Sequence, residues 1–330
     1  MRPRFVIGSA MLAMLFAATA GEALGQLAPS VAAGWPIRPI RLIVPTAAGG
    51  TQDLNARAVA KQMAQHAGQS IVVDNRAGAN GIIGADLVAK AAPDGYTLMY
   101  TGGAFAINPS IYKRLPFDVR RDFAPITNVA AGEGTLLLVH PSVAANSVRE
   151  LVALAKTRPL SYGSPGLGNA LQLISESFVI RSGAPLLHVP YKGSGPAMAA
   201  LIGNEVQVMF IPPGVALPHL RDGRVRALGY SSATRFDGLP DVPTINEQGL
   251  PFEMDTGWHG LFAPAATPRP LLERVHADVR RAVCEPWLRS FLVDAGFRPL
   301  ADPPDTFAKI VRADIERWAE IARLAKIPRQ

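Results

Sequence analysis

Six histidines (66, 140, 188, 219, 259 and 276), one cysteine and a set of glycine-rich turns carry most of the chemical reach of this 330-residue chain. No two histidines stand at metal-ligand spacing, and no His-Glu-x-x-His sequence occurs. Neither Ser164 nor Ser194 sits in Gly-x-Ser-x-Gly, so the strained turn that exposes a hydrolase nucleophile is absent. Gly78-Ala79-Asn80-Gly81-Ile82-Ile83-Gly84 has the wrong glycine spacing for a dinucleotide fingerprint, and there is no Walker A sequence. His66 and His276 are expected on helices as solvated groups, and His188 as a hydrogen-bonded residue ending a strand. Cys284 is expected between helices as an inert, partly buried thiol. These residues favour no covalent step, metal or cofactor.

Binding is better served. Four times a short apolar run leads into a Gly-, Ser- or Thr-rich loop that opens a helix. The loops are Thr46-Ala47-Ala48-Gly49-Gly50-Thr51, Thr101-Gly102-Gly103, Ser164-Pro165-Gly166-Leu167-Gly168-Asn169 and Tyr191-Lys192-Gly193-Ser194-Gly195. In open parallel sheets such loops line the ligand crevice. Helix N-termini there present unpaired N–H groups and partial positive charge, which suit a carboxylate, phosphate or sulfate.

The elements that must position these loops follow from apolar spacing. Ile40–Val44, Ile71–Val73 and Tyr96–Tyr100 read as strands. Ala56, Val59, Ala60, Met63 and Ala67 predict a helix from Asp53, stopped by Gly68. A second helix is expected from about Ile82 to Ala92. Ser147 and Glu150 have capping-box spacing, and Phe307, Ile310, Val311, Trp318 and Ile321 share one face of a last helix from near Asp305. Alternating strands and helices imply an α/β fold with mostly parallel sheets.

A hydrophobic fraction of 48% with 18% charged residues describes a chain able to build a sizeable core. One cysteine excludes an intrachain disulfide framework. The formal charge of +7 is spread thinly; Arg120-Arg121 and Arg280-Arg281 lie far apart without interleaved aromatics, so nucleic acid is not an expected partner. Arg2 and Arg4 followed by the apolar stretch Phe5 to Ala20 have the layout of a secretory signal peptide, here taken as residues 1–25. Cleavage is placed after Ala20 or after Gly25, and the mature chain is expected in the periplasm.

Across the mature chain, an ordered set of motifs resembles the Bug/TctC family of extracytoplasmic solute-binding proteins, many of which serve tripartite tricarboxylate transporters. It opens with Pro39-Ile40-Arg41-Leu42-Ile43-Val44-Pro45, Gly49-Gly50 and Asp53. Val73-Asp74-Asn75-Arg76-Ala77-Gly78-Ala79, Ala91-Ala92-Pro93-Asp94-Gly95-Tyr96-Thr97-Leu98 and Ile107-Asn108-Pro109-Ser110 follow. Asp122-Phe123-Ala124-Pro125, His140-Pro141-Ser142 and His188-Val189-Pro190-Tyr191-Lys192-Gly193-Ser194 come next. Leu239-Pro240-Asp241-Val242-Pro243-Thr244 and Gly260-Leu261-Phe262-Ala263-Pro264-Ala265 complete it.

The resemblance implies a two-lobed periplasmic-binding-protein fold of type II that closes on its ligand by hinge motion. Lobe 1 would take residues 36–133 and 256–330, and lobe 2 residues 134–255, with Gly132, Gly134 and Gly257 at the crossings. It implies capture of a small organic carboxylate, without chemistry, by a protein expected to be a monomer. Delivery would be to membrane permease subunits, or the ligand would be reported to a sensor kinase; the fold is the same in both. The residues expected to hold the ligand are Thr46, Ala47, Ala48, Gly49, Gly50, Thr51, Asp53, Thr101 and Gly102 in lobe 1. In lobe 2 they are Ser164, Gly166, Gly168, Asn169, Tyr191, Gly193, Ser194 and Ile211. Tyr191 serves either the ligand, by stacking or a hydrogen bond, or packing over a helix start; Lys192 is expected in solvent. Thr46, Ala48 and Gln52 depart from the family pattern. So does Ile211-Pro212, where many relatives carry an Asp; this implies a less polar wall and a ligand with an apolar or aromatic body.

Overall fold

The computed structural model describes residues 34–329 apart from Glu133 and Thr256; the expected signal peptide lies outside the described residues. The strands, in chain order, are β1 (Ile40–Val44), β2 (Ile71–Asn75), β3 (Thr97–Gly102), β4 (Phe123–Gly132), β5 (Leu136–Val139), β6 (Leu160–Ser164), β7 (Leu186–Pro190), β8 (Val208–Ile211), β9 (Arg226–Tyr230), β10 (Trp258–Pro264) and β11 (Phe297–Pro299). The helices are α1 (Thr51–Ala67), α2 (Ile82–Ala89), α3 (Ala104–Ile111), α4 (Val148–Ala155), α5 (Ala170–Ser182), α6 (Ser194–Ile202), α7 (Pro213–Arg221), α8 (Arg269–Cys284), α9 (Pro286–Asp294) and α10 (Pro304–Leu324).

They form two sheets, ordered β11-β4-β10-β3-β1-β2 and β7-β6-β8-β5-β9. Each contains a parallel trio: β2, β1 and β3 in the first, β7, β6 and β8 in the second. The remaining pairings are antiparallel, so the sheets are mixed rather than mostly parallel. The reason is the double crossing. A chain that leaves the first sheet on β4 and returns on the adjacent β10 must run back antiparallel, and β5 and β9 bear the same relation in the second. At the crossing, Gly132 N–H donates to Gly257 O at 2.7 Å, and Gly134 bridges Asp255, so the two connections lie side by side.

Local expectations mostly meet their elements. α1 buries Ala56, Val59, Ala60 and Met63 against β1 and β3, and Gly68 ends it in the left-handed region at φ 69°, where glycine carries no Cβ penalty. α2 stops at Ala89 rather than Ala92; Ala92 itself precedes Pro93, which disfavours helical geometry there. β3 runs on to Gly102: the returning β10 pairs Gly260 with Thr101 and His259 with Gly102, turning an expected loop into strand. Ser147 Oγ accepts the Glu150 N–H at 3.1 Å, while the Glu150 carboxylate reaches Asn146 N–H instead of the cap residue. α10 buries Phe307, Val311, Ile315 and Trp318, packing on α3 and on β4 of the first sheet. Cys284 ends α8 and is exposed, not partly buried between helices. His66 lies 3.8 Å from the Glu285 carboxylate and His276 contacts Ala301 O at 3.1 Å, so neither is freely solvated.

Two features make the packing testable. Gly260 faces α10, where a Cβ would lie 2.3 Å from the Phe307 ring and 2.9 Å from Thr127 O. Gly260→Ala should therefore destabilise by about 1–3 kcal/mol or more, read from urea unfolding; a neutral result would contradict this packing. Burial holds His188 and His259 neutral, with pKa values pushed down to about 4 from 6.5. Between those values the unfolded chain binds protons that the folded chain does not, so stability should fall as pH drops from 6.5 to 4. His259→Gln should flatten that slope; an unchanged slope would exclude His259 as its source.

Candidate functional site

The first-lobe loop is shaped from below by a buried carboxylate. Asp53, in the first turn of α1, is 1% exposed. It accepts the Gly49 N–H at 2.8 Å, Asn75 Nδ2 at 2.9 Å and the Arg57 guanidinium at 3.0 Å. Burial raises its pKa, but the Arg57, Gly49 and Asn75 hydrogen bonds prevail and hold it below the usual carboxylate value. Asn75 also donates to Thr46 O, tying the loop to β2. Asp53 thus braces the loop from beneath, with both carboxylate oxygens engaged by the loop, β2 and Arg57.

Above this brace the loop opens onto a cavity of about 210 Å³ lined by Thr46, Ala47, Gln52, Thr101, Phe105 and Asn108, with the Ala77–Gly81 turn as the far wall. The Thr46 hydroxyl is buried there without a partner. Asn80 and Asn108 bond one another at 2.7 Å and hold that turn in place. Ala48, Gly49 and Gly50 are exposed on the loop outside this lining.

A second cavity of about 640 Å³ adjoins the first at Gln52 and Ala104 and lies between the lobes. First-turn residues of three helices line it: Thr51 and Gln52 of α1, Ala104 of α3 and Gly214 of α7. The N–H groups of these residues have no acceptor among the described residues, as the opening turn of a helix requires. Leu54, Val215, Phe291, Phe297 and Trp258 make the rest of the wall largely apolar. His259 also lines it, stacked on Phe297 at 4.4 Å and contacted by Asn55 Nδ2 at 3.1 Å. No Lys or Arg among the described residues lines either cavity.

The second lobe enters by an unexpected route. Ile211 is fully buried in β8, opposite Leu136, so its side chain forms no cleft wall; the next residue, Pro212, does. A strand running through Pro212 into Pro213 at the first helical position was the available signal for that helix start. The Ser164–Asn169 and Tyr191–Ser194 loops line neither cavity. They are tied to each other, Tyr191 N–H to Ser164 O and Gly193 N–H to Pro165 O, both at 2.9 Å. Gly168 abuts the first lobe: a Cβ there would lie 2.9 Å from the Ile111 side chain. Tyr191 turns its hydroxyl to Glu205 at 3.4 Å and packs beside Gly163, while Lys192 is exposed.

Two expected ligand donors of this lobe are already engaged. Gly166 N–H contacts Ser164 Oγ at 3.3 Å, and Gly168 N–H donates to Gln172 Oε1 at 2.7 Å. Asn169 caps α5 through the Leu171 N–H at 2.9 Å. Ser164 is fully buried, with Oγ 2.6 Å from His188 Nε2, and His188 Nδ1 lies 3.2 Å from Gln172 Nε2. Gln172 was missed, although Asn169 and Gln172 stand at capping-box spacing. At the start of α6, Ser194 and Gly195 N–H have no acceptor among the described residues. No group of three or more His, Cys, Asp or Glu residues suited to a metal exists among them.

A sequence profile described as Tripartite tricarboxylate transporter family receptor matches residues 55–326. The chain is 37% identical over 322 residues to the UPF0065 protein in the tcbD-tcbE intergenic region of Pseudomonas sp. (strain P51), covering 96% of this chain and 93% of that one. It is 35% identical to Protein BugT of Bordetella pertussis, over 94% of each. Among solved structures, R. palustris Rpa4515 with adipate superposes with a TM-score of 0.77 at 33% identity, covering 90% of this chain and 100% of the other. The periplasmic binding protein BugD does so at 0.75 and 32%, with the same coverage. MatC from Rhodopseudomonas palustris, with bound malate, gives 0.73 and 32%, covering 87% and 99%. The fold is therefore the two-lobed α/β fold of periplasmic binding proteins, and the chain belongs to the Bug/TctC family of tripartite tricarboxylate transporter receptors, which are solute-binding proteins rather than enzymes.

Proposed function

We propose that this protein is an exported receptor that captures a small organic carboxylate between its lobes and passes it to the permease subunits of a tripartite tricarboxylate-type transporter. The observation that carries the reading is the meeting of three helix starts, α1, α3 and α7, on a chamber that Asp294 lines but no Lys or Arg among the described residues does. An anion placed there is held by backbone N–H groups and dipole ends, each contributing about 0.3–1 kcal/mol and up to ~2 when partly buried. Three such ends, the unpartnered Thr46 hydroxyl of the adjoining first cavity and desolvation of the ligand body together approach the ~8 kcal/mol of a micromolar complex. The lobes, taken as residues 36–133 with 256–330 and 134–255, would close about the paired crossings. Closure would carry the Ser194 and Gly195 N–H groups over the cavity mouth.

Leu54 and Val215 support an apolar ligand body. They are 49% and 41% exposed, one from each lobe, and both line the chamber. Adipate and malate, seen with Rpa4515 and MatC, bracket the choice between a longer apolar body and a short polar one.

A thermal-shift screen of the mature chain, residues 26–330, against adipate, malate, benzoate and acidic amino acids tests the reading. A true ligand at a hundred times its dissociation constant stabilises by about 2.7 kcal/mol, several degrees in Tm. Adipate or benzoate should outperform malate, and selectivity for malate would contradict the apolar-body reading. Thr46→Val should weaken the selected carboxylate by about 1.5–3 kcal/mol, or roughly tenfold and more, while leaving the ligand-free Tm unchanged. Val215→Asp should abolish the preference for adipate or benzoate at unchanged Tm; retained preference would exclude this wall.

A further inference from the structure

Ser164, His188 and Gln172 look like nucleophile, base and orienting group, yet the hydrogen bonds run the wrong way for that chemistry. The direction is set at one end by a backbone group that can only donate. Gly168 N–H points at Gln172 Oε1 at 2.7 Å, so that atom is the amide oxygen, and Nε2 is left facing His188. An NH₂ group has no acceptor capacity, so His188 Nδ1, 3.2 Å away, accepts. A neutral imidazole then carries its proton on Nε2 and donates it to Ser164 Oγ at 2.6 Å. Burial keeps this imidazole neutral at pH 7, and the Tyr162 ring stacks on it at 4.8 Å. Ser164 Oγ also lies 3.3 Å from Gly166 N–H, and its own proton is directed to Gly166 O at 3.3 Å.

We infer that Gln172 and His188 are positioning residues for ligand capture: they fix the direction of the Ser164 hydroxyl and so lock both polar groups of Gly166 and the N–H of Gly168. This deepens the carboxylate-capture reading and rests on it for its functional meaning. The chain holds the loop in the one shape that seats Gly168 against Ile111 of the first lobe. It also withholds from His188 the lone pair a base would need, since Nε2 already bears the proton it would have to accept.

The near-isosteric Gln172→Glu tests the direction. A carboxylate takes the Gly168 N–H with one oxygen and accepts from His188 Nδ1–H with the other. That reverses the imidazole, draws the Ser164 proton to Nε2 and leaves the Gly166 carbonyl held by the Asn169 N–H alone, at 3.4 Å. The full chain, labelled with ¹⁵N-histidine and read at pH 9 where the imidazoles are neutral, should show His188 protonated on Nε2 in the wild type and on Nδ1 in Gln172→Glu; His188→Gln assigns the signals. Amide exchange across Gly166–Asn169 should quicken in Gln172→Glu, with its Tm close to wild type. Adipate affinity should then fall about tenfold.

Protonation on Nδ1 in the wild type overturns the inference. So does a Gln172→Glu protein with the wild-type tautomer or with undiminished adipate affinity. A wild type that carries the Nε2 proton but binds no adipate counts against the capture reading, and the tautomer and exchange results alone then decide the inference.

Discussion

Every α-helix begins with N–H groups that its own backbone cannot satisfy, and here the starts of α1, α3 and α7 bring theirs to one chamber that no Lys or Arg among the described residues lines. Much of the architecture follows from that constraint. The parallel trios β2-β1-β3 and β7-β6-β8 put helix starts at the same edge of each sheet, and the side-by-side crossings face those edges towards one another. The antiparallel strands β4, β10, β5 and β9 serve a different end, since they stand next to the crossings and carry the chain between lobes. An arginine would hold an anion more strongly in place; a set of N–H groups supplies its attraction from fixed geometry and adds no charge to be desolvated when the site closes.

Such a site is only as good as the loops that aim it, and the two lobes brace theirs by opposite electrostatic means. In the first, a buried carboxylate, Asp53, gathers three donors and is stabilised as an anion by Arg57. In the second, a neutral chain of Gln172, His188 and Ser164 does the equivalent work with no net charge. Both braces take up glycine N–H groups that otherwise resemble ligand donors. A glycine-rich loop therefore contributes fewer free N–H groups than its length suggests.

Local physics was legible in the sequence and non-local pairing was not. The periodicity of Ala56, Val59 and Met63, the stop at Gly68 and the Ser147 cap depend on neighbours a few residues away, and the structure carries all of them. Thr101 and Gly102 lie in a strand because β10 returns from more than 150 residues downstream, which no local pattern encodes. A carboxylate beside a glycine loop has the same appearance in sequence whether it faces a cleft or braces the loop from beneath, as Asp53 does. Ile211 drew attention for its place in the chain, but strand alternation put its side chain in the core and left Pro212 at the wall. The motif set identified the family and its fold, whereas the division of labour within each loop required the hydrogen bonds themselves.

If backbone N–H groups from both lobes hold the ligand's anionic end, those amides must respond when it binds. Amide chemical shifts followed during titration with adipate test it most directly. Thr51, Gln52, Ala104 and Gly214 should move together to lower field at one saturating concentration, as amides do on gaining a charged acceptor. Movement confined to one lobe, or a bound adipate that leaves these four amides unperturbed, would contradict it.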